Sequence, residues 1–86
     1  MSEHDLRELG FEVVHIHDFD LGEDPFYYYV WRIGEDLHGY LISCTDDEVE
    51  NGKWVVYETN SDYVVKFTKI DDLRNYIGII KRNLVL

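Results

Sequence analysis

The sequence predicts an α+β fold, in which an antiparallel sheet of four to five strands is followed by a C-terminal α-helix. Short runs rich in β-branched and aromatic residues, separated by brief turn signals, predict a sheet built as a meander of hairpins. Apolar residues at helical spacing between positions 70 and 83 predict the helix. We expect it to pack across one face of the sheet, within a single acidic domain that spans residues 1–86.

The chain begins with the features of a short helix at residues 2–9. Ser2 is suited to cap this helix, Leu6 and Leu9 stand one turn apart, and Gly10 is suited to end it. The predicted strands follow at residues 11–17, 26–33, 37–44, 54–59 and 63–67.

Two polar segments interrupt these strands. Residues 18–25 hold four carboxylates, a glycine and the only proline, which predicts a loop. Residues 45–53 are also polar and acidic, and Asn51-Gly52 within them is a turn signal.

The second strand, residues 26–33, lacks the alternation of apolar and polar residues that is typical of a sheet with one wet face. One face would show Phe26, Tyr28 and Val30, and the other would show Tyr27, Tyr29 and Trp31. One C-terminal helix covers one face only, so the second requires the N-terminal segment, a second copy or a partner. The presence of aromatic residues on both faces of this strand therefore predicts either an ordinary core with tyrosine hydroxyls at its rim or a binding surface.

Net charge is the strongest compositional signal, because 18 acidic residues against 8 basic ones give −10. Most of this charge lies in the first two-thirds of the chain. A charge of this size disfavours direct binding to nucleic acid or to an anionic membrane, and it favours association with a basic protein.

Two histidines form the most suggestive cluster for metal binding. His15 and His17 would share one face of a strand, and Asp18 follows them directly. Two imidazoles and a carboxylate suit zinc or iron, with Asp36 and His38 as further ligands only if the fold brings them close. The alternative is a surface strand with ordinary polar residues, and we expect no metal or other cofactor.

Cys44 is the only cysteine, so the chain cannot contain an internal disulfide. We expect a buried structural thiol in a reducing compartment, and the cytoplasm is the simplest location because no signal-peptide pattern or membrane-length apolar run is present. No nucleophile motif, glycine-rich phosphate loop or paired catalytic constellation appears, so we do not expect an enzyme.

The acidic side chains are clustered, and they adjoin the aromatic strand. Carboxylates two positions apart on an extended chain lie about 6.7 Å apart, a spacing comparable to that of phosphates along a nucleic-acid strand. The residues expected to bind a partner are Asp18, Asp20, Glu23, Asp24, Tyr27, Tyr29, Trp31, Glu35, Asp36, Asp46, Asp47, Glu48 and Glu50. The alternative is that these acids only keep a tyrosine-rich domain soluble.

These observations predict a small inhibitor that mimics nucleic acid and blocks a basic, nucleic-acid-handling protein. The chain resembles small acidic phage inhibitors of bacterial defence systems, such as anti-CRISPR proteins, in size, charge and aromatic content. It resembles immunity proteins and antitoxins that neutralise nucleases in the same respects. No motif diagnostic of a family accompanies this resemblance. A homodimeric interaction subunit that uses the aromatic sheet face is a further alternative.

Overall fold

Residues 1–17, 25–32, 40–58 and 65–83 are described in a computed structural model, with Tyr40 described by its backbone alone. The elements in chain order are α1 (Glu3–Glu8), β1 (Glu12–Ile16), β2 (Phe26–Arg32), β3 (Tyr40–Ser43), a 3₁₀ turn (Asp46–Glu48), β4 (Val56–Glu58), β5 (Val65–Phe67) and α2 (Ile70–Asn83). The strands form one antiparallel sheet in the order β1-β2-β3-β4-β5. The predicted meander and the predicted C-terminal helix are both confirmed.

The first helix begins with reciprocal hydrogen bonds between Ser2 and Asp5. The Asp5 N–H donates to the Ser2 hydroxyl at 3.2 Å, and the Ser2 N–H donates to the Asp5 carboxylate at 2.9 Å. The second of these bonds is the main cause of a lowered pKa at Asp5. Gly10 follows the helix with a φ of +96°, a left-handed conformation that glycine adopts without strain. Ser2 and Gly10 therefore bound α1 as predicted.

Both helices pack on the same face of the sheet, which we call the helix face. Leu6 of α1 and Leu73 and Ile77 of α2 join the core cluster that contains Tyr29 and Trp31. The sheet residues of the helix face, as the register aligns them, are Val13, His15, Tyr27, Tyr29, Trp31, Leu41, Ser43, Val56, Glu58, Val65 and Phe67. The core is thus a single layer between one sheet face and two helices.

The opposite side of the sheet is called here the second face. Its sheet residues with described side chains are Glu12, Val14, Ile16, Phe26, Tyr28, Val30, Arg32, Ile42, Tyr57 and Lys66. Because α1 lies on the helix face, the N-terminal helix does not cover the second face, which removes one of the three ways in which that face was expected to be covered. Val30 is nevertheless buried, between neighbours in the adjoining strands.

The C-terminal helix is anchored through its apolar stripe. Leu73 and Ile77 are buried, and the Tyr76 ring lies 5.1 Å from the Phe67 ring of β5. Burial raises the pKa of the Tyr76 hydroxyl, and the nearby negative charge of Glu58 acts in the same direction. No helix in the described ranges is both long enough and apolar enough to span a bilayer.

The predicted turn at Asn51-Gly52 is present. Both residues have positive φ angles, 54° and 71°, and the Lys53 N–H donates to the Glu50 carbonyl at 3.0 Å. This is the left-handed geometry for which Asn-Gly is favoured in tight hairpins. The next strand starts later than predicted, because the Trp54 N–H donates to the Met1 carbonyl at 2.8 Å and β4 begins at Val56.

Candidate functional site

A turn of three consecutive carboxylates follows β3. The sequence predicts only an acidic loop here, but residues 46–48 form a 3₁₀ turn. Its local cause is Thr45, whose N–H donates to the Glu48 carboxylate at 3.1 Å and whose carbonyl accepts from the Glu48 N–H at 3.0 Å. The Thr45 hydroxyl also lies against the carboxylates of Asp47 and Glu48. The Thr-x-x-Glu spacing is the signature that would have predicted this turn.

Asp46 fixes this turn to the sheet. The backbone N–H of Tyr27 donates to its carboxylate at 2.9 Å. Two residues further along β2, the N–H of Tyr29 donates to the hydroxyl of Ser43 at 2.8 Å. Side-chain oxygens therefore satisfy β2 amides near the point where β3 ends, and Asp46 holds a negative charge beside Tyr27.

A second acidic segment is α1, which contributes Glu3. The hydroxyl of Tyr29 donates to the Glu3 carboxylate at 2.9 Å, and the Arg7 guanidinium lies 5.8 Å from the centre of the Tyr29 ring. Hydrogen bonding to Glu3 raises the pKa of Tyr27 to about 12, with burial and the charge of Asp46 acting in the same direction. The Tyr27 hydroxyl thus keeps its proton to a higher pH than an ordinary tyrosine does.

These residues form one surface, which we call the Tyr27 patch and define as Glu3, Tyr27, Asp46, Asp47 and Glu48. It combines four carboxylates from two distant segments with one half-buried aromatic ring. Asp47 and Glu48 are exposed at its outer side. The arrangement can bind guanidinium or ammonium groups through the carboxylates, while the Tyr27 ring offers a stacking surface.

A row of aromatic rings extends from the Tyr27 patch toward the edge of the sheet. The centre of the His15 ring lies 5.6 Å from that of Tyr27 and 6.2 Å from that of His17, and the two imidazoles are nearly parallel. On its other side, the Tyr27 ring lies 5.8 Å from the Trp54 ring. Both histidines are exposed, so the outer end of this row is open to solvent.

The other residues expected to bind a partner are divided by the structure. Tyr29 and Trp31 are core residues, 0% and 8% exposed, so they offer no surface to a partner in this conformation. Tyr29 is covered by α1, since its hydroxyl donates to Glu3 and Arg7 lies over its ring, and Trp31 lies beside Gly10. The alternation of residues along β2 alone does not predict which face the N-terminal segment covers. Glu50 is exposed but stands beyond the 3₁₀ turn, in the Asn51-Gly52 hairpin. The remainder lie outside the described residues, namely Asp18, Asp20, Glu23, Asp24, Glu35 and Asp36.

The described residues contain no group of three or more potential metal ligands. His15 and His17 do share one face, as the strand predicts. Asp18, Asp36 and His38, the other ligands considered from the sequence, lie outside the described residues.

Cys44 is a buried free thiol, 5% exposed, and it is one of the residues that line a cleft of about 410 Å³. The cleft opens beside β4 and the Asn51-Gly52 hairpin. Its lining includes Glu48, Glu50, Lys53 and Lys66, two charges of each sign. The charged side chains of the cleft therefore balance, whereas the Tyr27 patch, which shares Glu48 with the cleft, is strongly anionic.

Two residues that take part in the hydrogen bonds of the Tyr27 patch, Glu3 and Thr45, were not predicted as site residues. Glu3 falls within the helix predicted at residues 2–9, and Thr45 is the first residue of the polar segment predicted at residues 45–53. The Thr-x-x-Glu signature was a local signal for Thr45, whereas no local signal links Glu3 to Tyr29, 26 residues away.

Comparisons with protein-family models, curated proteins and solved structures give no match for this chain.

Proposed function

We propose that this protein is a small binding inhibitor whose Tyr27 patch occupies a basic site on a nucleic-acid-handling protein. The observation that supports this proposal is the set of four carboxylates around Tyr27, which accept hydrogen bonds from Thr45, Tyr27 and Tyr29. A site on the partner that normally holds phosphates would present arginine and lysine side chains to these carboxylates.

Preorganisation is the physical reason for preferring recognition over mere solubility. Acids that serve solubility alone need no fixed position, since dispersed charge has the same effect. Here Asp46 is bonded to a β2 amide and Glu3 to a buried tyrosine, so less conformational entropy is lost when a cation binds. The net charge of −10 adds long-range attraction, which speeds encounter with a basic surface.

The partner class that fits this surface is a protein with an exposed cationic groove, such as a nuclease or another enzyme of nucleic-acid metabolism. An anti-defence inhibitor of phage type and an immunity protein or antitoxin would bind such a groove by the same chemistry. The buried free thiol of Cys44 is compatible with a cytoplasmic role.

The proposal is tested by capture of a partner with matched charge variants as bait. Asp47→Asn with Glu48→Gln removes two exposed carboxylates from the patch. Asp71→Asn with Asp72→Asn removes two exposed carboxylates from α2, at the same change in net charge. Each bait is incubated with host lysate at low salt, and retained proteins are identified by mass spectrometry.

We expect the unmodified chain and the α2 variant to retain the same nucleic-acid-binding protein, and the patch variant to lose most of it. Short duplex DNA should compete for the retained protein, and moderate salt should weaken retention. If both variants lost the retained protein equally, binding would depend on net charge and not on the Tyr27 patch. Retention of no basic protein by any bait would reject the proposal.

A further inference from the structure

The two edges of the sheet differ in length and in chemistry. β1 forms one edge with five residues, whereas three described residues of β5 form the other. β1 contains no proline and no lysine, the residues that commonly protect an edge from pairing. Val13 in the middle of this edge is 42% exposed. β1 is therefore the longer and less protected of the two edges.

The hydrogen bonds of β2 show which backbone groups of β1 point outward. The Tyr29 N–H points toward Ser43 on the β3 side, so its even-numbered neighbours point toward β1. Val30 and Tyr28 therefore pair with Glu12 and Val14. Because alternate residues of a strand point to opposite sides, the N–H and C=O groups of Val13 and His15 are directed away from the sheet. These outward groups have no backbone partner within the described ranges.

We propose that two copies of the chain associate through antiparallel pairing of their β1 strands, which joins their sheets into one. A two-fold axis perpendicular to the sheet at Val14 places Val13 of each copy opposite His15 of the other. Each such pair exchanges two backbone hydrogen bonds, so the outward groups of both residues are satisfied.

A second copy fits this edge because β1 complements itself in that register. The exposed Val13 side chain packs against a His15 ring, and the two Val14 side chains meet at the axis on the second face. Glu12 stands opposite Ile16, so no two carboxylates of the described strand face each other directly. The register is centred on the strand, and it uses all five residues of β1.

Association through β1 does not depend on the proposed function, and the two respond differently to salt. Each chain carries −10, so long-range repulsion opposes dimerisation and salt should strengthen it by screening. Binding of a basic partner by the Tyr27 patch should weaken under the same change. The two-fold axis also places both Tyr27 patches on the same side of the joined sheet.

Sedimentation equilibrium of the purified chain tests this proposal at several protein concentrations, from about 0.05 to about 0.5 M NaCl. We expect a concentration-dependent species at twice the 10.3 kDa chain mass, with tighter association at higher salt. A monomer at all concentrations and at both ends of the salt range would overturn the proposal.

Variants at the two edges identify the surface involved. Val13→Pro removes an outward N–H without removing a bond to β2, and it should weaken dimerisation about tenfold or more. Val13→Lys should also weaken it, although it lowers the net negative charge. The matched control is Val65→Lys on β5, where a valine of nearly equal exposure, 40%, receives the same change.

Circular dichroism establishes whether each variant is folded. If Val13→Pro does not fold, the comparison of Val13→Lys with Val65→Lys still tests the proposal. Dimerisation that survives both Val13 changes in folded protein would overturn pairing through β1. Equal weakening by Val65→Lys would overturn it as well. Hydrogen exchange provides a direct readout, since the Val13 and His15 amides should become protected as the protein concentration rises.

Discussion

The two faces of the sheet receive similar side chains from β2 but use them differently. Tyr29, on the helix face, is fully buried beneath α1, and its hydroxyl donates to Glu3. Tyr28, its neighbour in sequence, lies on the second face, where neither helix packs, and remains half-buried. Of two adjacent tyrosines, Tyr29 is thus part of the core and Tyr28 is partly exposed on the second face. What decides between them is the placement of α1.

Truncation of the two tyrosines tests this contrast most strongly. Tyr29→Ala should lower the free energy of unfolding by about 3–5 kcal/mol, because it leaves a cavity between the sheet and α1. Tyr28→Ala should cost about 1–2 kcal/mol, because less area is buried there. Urea denaturation followed by far-UV circular dichroism gives both values. Equal costs would show that the second face is packed as tightly as the helix face.

A smaller effect is expected at two serines that bond to backbone groups in different surroundings. Ser43 is buried and accepts from the Tyr29 N–H, so Ser43→Ala should cost about 1–3 kcal/mol by leaving a buried donor unsatisfied. Ser2 is exposed and caps α1, so Ser2→Ala should cost about 1 kcal/mol. Thermal denaturation of both variants measures the difference. A larger cost at Ser2 would contradict the placement of Ser43 in the core.

A further effect is expected only at alkaline pH, and it acts on the helix face. The folded chain holds the Tyr27 proton up to about pH 12, whereas an unfolded tyrosine loses it near pH 10. The unfolded state therefore releases its proton first, and stability should fall as pH rises from about 10 to about 12. Tyr29 and Tyr76, whose pKa values burial also raises, act in the same direction.

Denaturation at a series of alkaline pH values measures this decline. Tyr27→Phe is the control, and its stability should fall less steeply than that of the unmodified chain. An identical slope in the two proteins would indicate that Tyr27 does not exchange its proton more readily on unfolding.

The sequence predicted most of the fold because the relevant signals are local. Strand residues, the Asn51-Gly52 turn and the apolar spacing of α2 each depend on neighbours within a few positions. It did not predict that α1 would share a face with α2, because that choice depends on packing between distant segments. The site was only partly predictable for the same reason, since Tyr27 bonds to Asp46 across 19 residues and no local sequence pattern indicates such a contact.

Both tryptophans lie close to the N-terminal segment. The Trp31 indole lies beside Gly10, and the backbone of Trp54 is bonded to Met1. Both side chains are buried, so intrinsic fluorescence should report directly whether this segment is seated on the sheet. A ligand that leaves the segment in place should leave the emission wavelength unchanged, and one that displaces it should shift the emission to the red. The molecule thus carries its own optical probe, without a label, for the part of the chain that covers its core.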